Sequence, residues 1–232
     1  MQQDELECLQ KTLVSALGVR HHVTGLLGLA HEITLVSLNA KITSSQIGDA
    51  GRVFSVMTNE ITAISTHLHK TVNDIRQVTH DWTQIIAKAS GQMRRLQSLS
   101  EARARGAAKG HSLERIDGAF YQATDFLKEF SGSHPKLLAE LLRIINGMER
   151  SLKVVNYVKI GIMIESARLT GIDGTEHNPF QHLADEMQSA AEKIRAIATR
   201  TTQQLQGLTS ESSNRQSFNS GGNYAVADHL SG

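Results

Sequence analysis

Eleven histidines are the residues of this chain with the widest chemical reach, since imidazole ligates metals and haem and exchanges protons near neutral pH. Two histidines four apart on a helix share a face and can hold one ion, whereas closer neighbours diverge. His21 with His22, and His67 with His69, have the diverging spacing; His31, His80, His177 and His182 would need tertiary convergence. No metal or haem site, and no other cofactor, is expected. Serine, histidine and aspartate are all present, yet none stands in a nucleophile elbow, and Gly171-Ile172-Asp173-Gly174 reads as a turn rather than a phosphate-cradling loop. The chain is not expected to be an enzyme. Glu165 and Arg168 lie three apart on one helix face, so they either form a local ion pair or meet a partner.

The remaining polar residues set further bounds. Lys and Arg number 24 against 23 Asp and Glu, which leaves no global attraction to nucleic acid. The basic stretch Arg94, Arg95, Arg103, Arg105 and Lys109 has no interleaved aromatics for base stacking and reads as a solvated helix end. Cys8 is the single cysteine, which fits a reducing compartment. No run approaches the ~20 apolar residues of a membrane span, and the Met1-Gln-Gln-Asp-Glu start is acidic where a secretion signal is basic, so a soluble cytoplasmic protein is expected.

Helices must position these groups. Of 232 residues, 40% are hydrophobic and 4% aromatic, and only Pro135 and Pro179 interrupt a helix by nature. From Phe54 the spacing runs in threes and fours through Met57, Ile61, Ile64, Leu68, Thr71, Ile75, Val78, Trp82, Ile85 and Ala89, a heptad seam on a helix ending near Leu99. The preceding helix, Gln10 to Gln46, spreads Leu26, Leu27, Leu29, Ile33, Leu35, Val36 and Leu38 around more of its circumference and should be covered on more than one side. Residues 100–112 read as a connection. A short helix from Ser112 is broken at Ser131-Gly132-Ser133-His134-Pro135, and a second runs from there to about Leu169. A last heptad helix follows through Phe180, Leu183, Met187, Ala190, Ile194, Ile197, Thr201 and Leu208. The expected organisation is a hairpin over 1–99, the connection, a second hairpin over 113–208, and a disordered Ser/Asn/Gly-rich tail over 209–232. Met57, Met93, Met148, Met163 and Met187 read as core filling.

The two hairpins resemble each other. A shift of about 126 residues lays Phe54 over Phe180, Glu60 over Glu186, Ile61 over Met187 and Leu68 over Ile194; a shift of about 122 lays Ile42 over Ile164. The residues flanking the turns also resemble a known family. Val36-Ser37-Leu38-Asn39-Ala40, then Gly48-Asp49-Ala50-Gly51-Arg52-Val53-Phe54-Ser55-Val56-Met57 and Asn59-Glu60-Ile61, are similar to the tip of methyl-accepting chemotaxis receptors. In the second hairpin Ile164-Glu165-Ser166-Ala167-Arg168 and Phe180-Gln181-His182-Leu183-Ala184-Asp185-Glu186-Met187 resemble the corresponding segments. In that family two identical hairpins pair into a four-helix bundle whose tip engages a histidine kinase and a coupling adaptor. The resemblance therefore implies an all-α, elongated antiparallel four-helix coiled-coil bundle, a pseudo-dimer within one chain, with a homodimer of chains as the alternative.

It also implies partner-binding residues at the tips: Asn39, Asp49, Arg52, Glu165 and Arg168. Each tip keeps a different half of the pattern. The first has Thr43 and Gln46 where the family has glutamate and arginine; the second has Gly161 where it has asparagine. The family's adaptor-facing aromatic aligns with His31 and Lys153, and Gln203-Gln204 imitates a methylation site only crudely. The expected function is a soluble chemoreceptor-like module coupled to a histidine kinase or adaptor. The alternative is a receptor-like bundle repurposed as a scaffold for a different partner.

Overall fold

A helix with apolar residues repeating about every 3.5 positions cannot bury that stripe alone, and four such helices here bury theirs against one another. The computed structural model describes residues 2–46, 52–108, 114–173 and 179–222, with side chains over 7–46, 52–108, 114–168 and 181–210. Helix α1 spans Gln2–Gln46, α2 Arg52–Ala108, α3 Glu114–Asp173 and α4 Pro179–Gly222. The protein is an all-α four-helix bundle.

Two compact units divide the chain, and every helix contributes to both: one comprises Met1–Ala16, Trp82–Ala139 and Thr202–Gly232, the other Leu17–Asp81 and Glu140–Thr201. In the second unit, contacts between α1 and α2 join Thr34 to Ser65, Ser37 to Thr62 and His31 to His69, so these helices are antiparallel. Helix α4 also runs against α1, through His22 to Thr201 and Glu32 to Lys193. Helix α3 meets α2 at Gly161 and Met57 and meets α4 at Lys159 and Asp185. Thus α1 and α3 lie diagonally across this unit. In the first unit Ser15 meets Gln204, and Trp82 packs on His134.

The buried stripes are stricter than their hydropathy suggests. On α2 an unbroken alternation of four and three runs through Phe54, Thr58, Ile61, Ser65, Leu68, Val72, Ile75, Thr79, Trp82, Ile86, Ala89, Met93 and Leu96, and Ile64, Thr71 and Ser90 beside it are buried too. The expected Met57, Val78 and Ile85 are only half-buried, and Thr58, Val72, Thr79 and Ile86 hold the core side of their turns. Hydroxyl residues at seam positions disguised the register. Two of them are satisfied locally or across the helix pair: Thr58 donates to the Ser55 carbonyl at 2.9 Å, and Ser65 shares a 2.8 Å hydrogen bond with Thr34. Helix α4 buries the expected Leu183, Met187, Ala190, Ile194, Thr201 and Leu208, and adds Ala184, Ala191, Ala198 and Leu205; of the expected seam, among the described side chains, only Ile197 is half-buried.

Helix boundaries also differ from the expected ones. The Ser131–Pro135 segment does not break the chain: α3 is continuous with Pro135 inside it. Proline removes the amide hydrogen that would reach the Ser131 carbonyl. Ala123 before it and Leu138, Leu141 and Ile145 after it are all buried, and this burial outweighs the lost bond. Helix α2 continues through the Ala-rich segment to Ala108, as alanine's helix propensity favours. Arg103 there reaches Asp117 of α3 at 3.0 Å. Helix α4 extends beyond Leu208 to Gly222.

The absence of a continuous apolar run did not foresee one property of α1. Among the described residues, Glu7–Gln46 is long and apolar enough by length and composition to cross a membrane, with a mean hydropathy of 1.2 in an 18-residue window. Within the fold 44% of that window is buried, and Ala16, Val19, Val23, Leu26, Ala30, Ile33 and Ala40 supply the inner stripe. Val14, Leu17, Leu35, Leu38 and Ile42 face outward.

The first unit centres on Trp82, wholly buried, with the His134 ring 6.0 Å away and Phe130 5.2 Å from His134. Truncating Trp82 to alanine should cost about 3–5 kcal/mol in urea unfolding, and a loss below 1 kcal/mol would contradict its central place. Burial holds the His134 pKa below its ordinary value of 6.5, so the folded state takes up its proton less readily than the unfolded chain. Its stability contribution is therefore intact above pH 6.5 and declines as the pH falls toward the lower folded-state value. His134→Phe should flatten that decline between pH 7 and about 5 in urea midpoints. Parallel profiles for the two proteins would refute the assignment.

Candidate functional site

The region around the ends of α1 and α3 and the starts of α2 and α4 lies within the second unit and carries the expected tip residues. Polar residues inside the hairpin set its register. Ser37 and Ser65 are nearly inaccessible, and each shares a hydrogen bond with a threonine of the facing helix, at 2.7 Å to Thr62 and 2.8 Å to Thr34. A slip of either helix would leave these hydroxyls buried and unpaired, at a cost of about 1–3 kcal/mol for each. The side chains projected outward from α1 and α2 thereby gain fixed positions.

Glu165 and Arg168 are brought together. The Arg168 guanidinium donates to both carboxylate oxygens of Glu165, at 3.0 and 3.1 Å, while the arginine remains 71% exposed and the glutamate 20%. Exposure limits what this pair adds to stability. Its fixed fork leaves other donors of the guanidinium toward solvent.

Asn39 is exposed elsewhere, in a cleft of about 580 Å³ formed by α1 and α4. Leu35 and Val36 supply the apolar wall of that cleft; Glu32, Asp185, Glu186 and Lys193 supply its charges. Lys193 lies 4.0 Å from Glu32, and Glu186 lies 3.5 Å from His182. Arg52 is exposed at the first turn of α2. Asp49 lies outside the described residues. No hydrogen bond or ion pair among the described residues joins Asn39 or Arg52 to the Glu165–Arg168 pair.

The departures from the receptor pattern have structural counterparts. Gly161, where asparagine would stand, has room for little more: a β-carbon there would lie 3.0 Å from the Met57 terminal methyl. The methionine end is flexible, but an asparagine would have to displace it. His31 does not stand free; its ring meets His69 of α2 edge-on at 6.4 Å between centroids. Lys153 is exposed.

Sequence patterning missed the apolar surface around these groups. Tyr157 is 73% exposed, Ile164 59% and Leu38 55%; Val154, Ile160 and Met163 continue the outer face of α3, and Leu35 and Ile42 that of α1. Such side chains carry little weight singly, but clustered ones mark interaction surfaces. Their spacing supplied a signal: Val154, Tyr157, Ile160 and Ile164 make a second three-and-four stripe, which reads as core until Leu152, Val155 and Ile162 claim the inner face. Among the described residues no three histidine, cysteine or acidic side chains converge to hold a metal ion.

No protein-family model matches the chain, and no solved structure matches it. Among curated proteins it is 30% identical over 105 residues to the methyl-accepting chemotaxis protein CtpH of Pseudomonas aeruginosa, a stretch covering 45% of this chain and 18% of that protein. The chain thus spans less than a fifth of that receptor's length. The chain is thus a four-helix bundle with a weak likeness, over 105 residues, to part of a chemotaxis receptor.

Proposed function

We propose that the protein is a chemoreceptor-like signalling module that docks a chemotaxis-type histidine kinase, or its coupling adaptor, without catalysing a reaction itself. The observation that carries this reading is the outer face of α3, where exposed Tyr157, Ile160 and Ile164 lead to the Glu165–Arg168 pair. An apolar anchor beside an oriented guanidinium is the composition of a binding hot spot. Seam packing on the inner face leaves this outer face free for a partner. The similarity to a chemotaxis receptor supports a partner from that signalling class.

In this reading the two hairpins are a duplicated unit, and the chain is its own pseudo-dimer. The offset of about 126 residues that relates the two sequences also carries buried Thr58, Ser65 and Val72 of α2 onto buried Ala184, Ala191 and Ala198 of α4. Signals would pass through the bundle as small axial or rotational shifts between packed helices. Light scattering should then give the mass of one chain, 25.4 kDa. A stable dimer at micromolar concentration would show that duplication has not replaced subunit pairing.

A second reading has its own observation. His31 is engaged by His69, and Lys153 stands in the other adaptor-facing position, so neither offers the expected aromatic anchor. A scaffold for a different partner would fit those changes. Purified chain, presented to the host's histidine kinase and coupling adaptor, separates the two. Capture at micromolar concentration, weakened at least about tenfold by Glu165→Ala with Arg168→Ala, is the expected result. Failure to capture either protein favours the scaffold.

A further inference from the structure

Some basic residues on this protein stand beside carboxylates: Arg143 on Glu140 at 2.6 Å, Arg168 on Glu165 at 3.0 Å, Lys159 on Asp185 at 3.2 Å. Arg20 and Arg76 are distinguished by sharing one cleft without a carboxylate. They come from α1 and α2, both are exposed, and both line a single cleft of about 400 Å³ within the second unit. Neither guanidinium has a hydrogen-bond or ion-pair partner among the described residues; the Arg20 backbone carbonyl accepts from the Thr24 hydroxyl at 3.1 Å. No carboxylate lines the cleft, whose other residues include Val23, Thr24 and His80. Asp81, next in sequence to His80, is engaged by the Gln77 side-chain amide at 3.0 and 3.2 Å.

Two guanidiniums facing one cleft repel each other weakly in solvent and together attract a doubly charged anion. Each is a planar fork that matches a carboxylate bidentately. Because they rise from different helices, the fit favours an anion with charges at two ends over a compact one. The cleft volume lies within the range of small-molecule sites. We infer that this cleft binds a small dicarboxylate, with one carboxylate on Arg20 and the other on Arg76. The inference is independent of the docking face on α3 and of any kinase partner.

Calorimetric titration of the full chain with succinate, at low ionic strength, tests it directly. Acetate serves as the singly charged probe and sulfate as the compact dianion. Succinate should bind at least about tenfold tighter than either and weaken as salt is raised. Arg20→Gln and Arg76→Gln should each weaken succinate at least about tenfold, while thermal unfolding by circular dichroism stays unchanged because both side chains are exposed. Succinate binding no tighter than acetate would overturn the site. Equal binding of sulfate and succinate would overturn the two-ended assignment, as would full retention of binding in the Arg20→Gln/Arg76→Gln double variant.

Discussion

The structure depends on one constraint: four helices each carry a stripe of small or apolar residues at near-heptad spacing, and only mutual packing removes all four from water. Phe54, Ile61, Leu68, Ile75 and Trp82 on α2 are the bulky members, and Ala184, Ala191 and Ala198 on α4 are the small ones. Interiors pack to crystal-like density, so bulky and small seams must be matched in register. The Thr34–Ser65 and Ser37–Thr62 hydrogen bonds penalise the slipped alternatives. Apolar burial supplies the bulk of the stability, and the hydroxyl pairs specify one arrangement.

That division of labour explains what the amino-acid sequence revealed. The helices were legible because periodicity reports burial directly, and the four-helix bundle was what the resemblance to the receptor tip implied. At three turns of α2 the seam was read one position early, at Met57, Val78 and Ile85 instead of Thr58, Thr79 and Ile86, because hydroxyl residues such as Thr58 and Thr79 behave as core in a bundle. Pro135 was misread because local propensity suggested a break, whereas burial on both sides of it carries α3 through. Tertiary packing overrides a single breaker when enough apolar area depends on the continuous helix.

The candidate site was legible in part. Glu165 and Arg168 form a pair because spacing of three on a helix dictates it. The company of Asn39 was not readable, since Asp185, Glu186 and Lys193 reach its cleft from α4, more than a hundred residues away in sequence. The exposed stripe on α3 was hidden by ambiguity: two apolar stripes compete for one core, and only the packed bundle shows which faces inward. Helix α1 presents the same duality, and its two-sided apolar character makes it resemble a membrane span in composition while its inner stripe serves the core.

The central claim is that the outer face of α3, leading to Arg168, is where a chemotaxis-type partner sits. Amide hydrogen exchange of the chain, alone and mixed with the host's kinase and coupling adaptor, tests this most directly. The account predicts slowed exchange over residues 154–168 in the mixture, with 82–99 and 123–139 unchanged. Slowing confined to those latter segments, or none over 154–168 when complex formation is evident by mass, would contradict it.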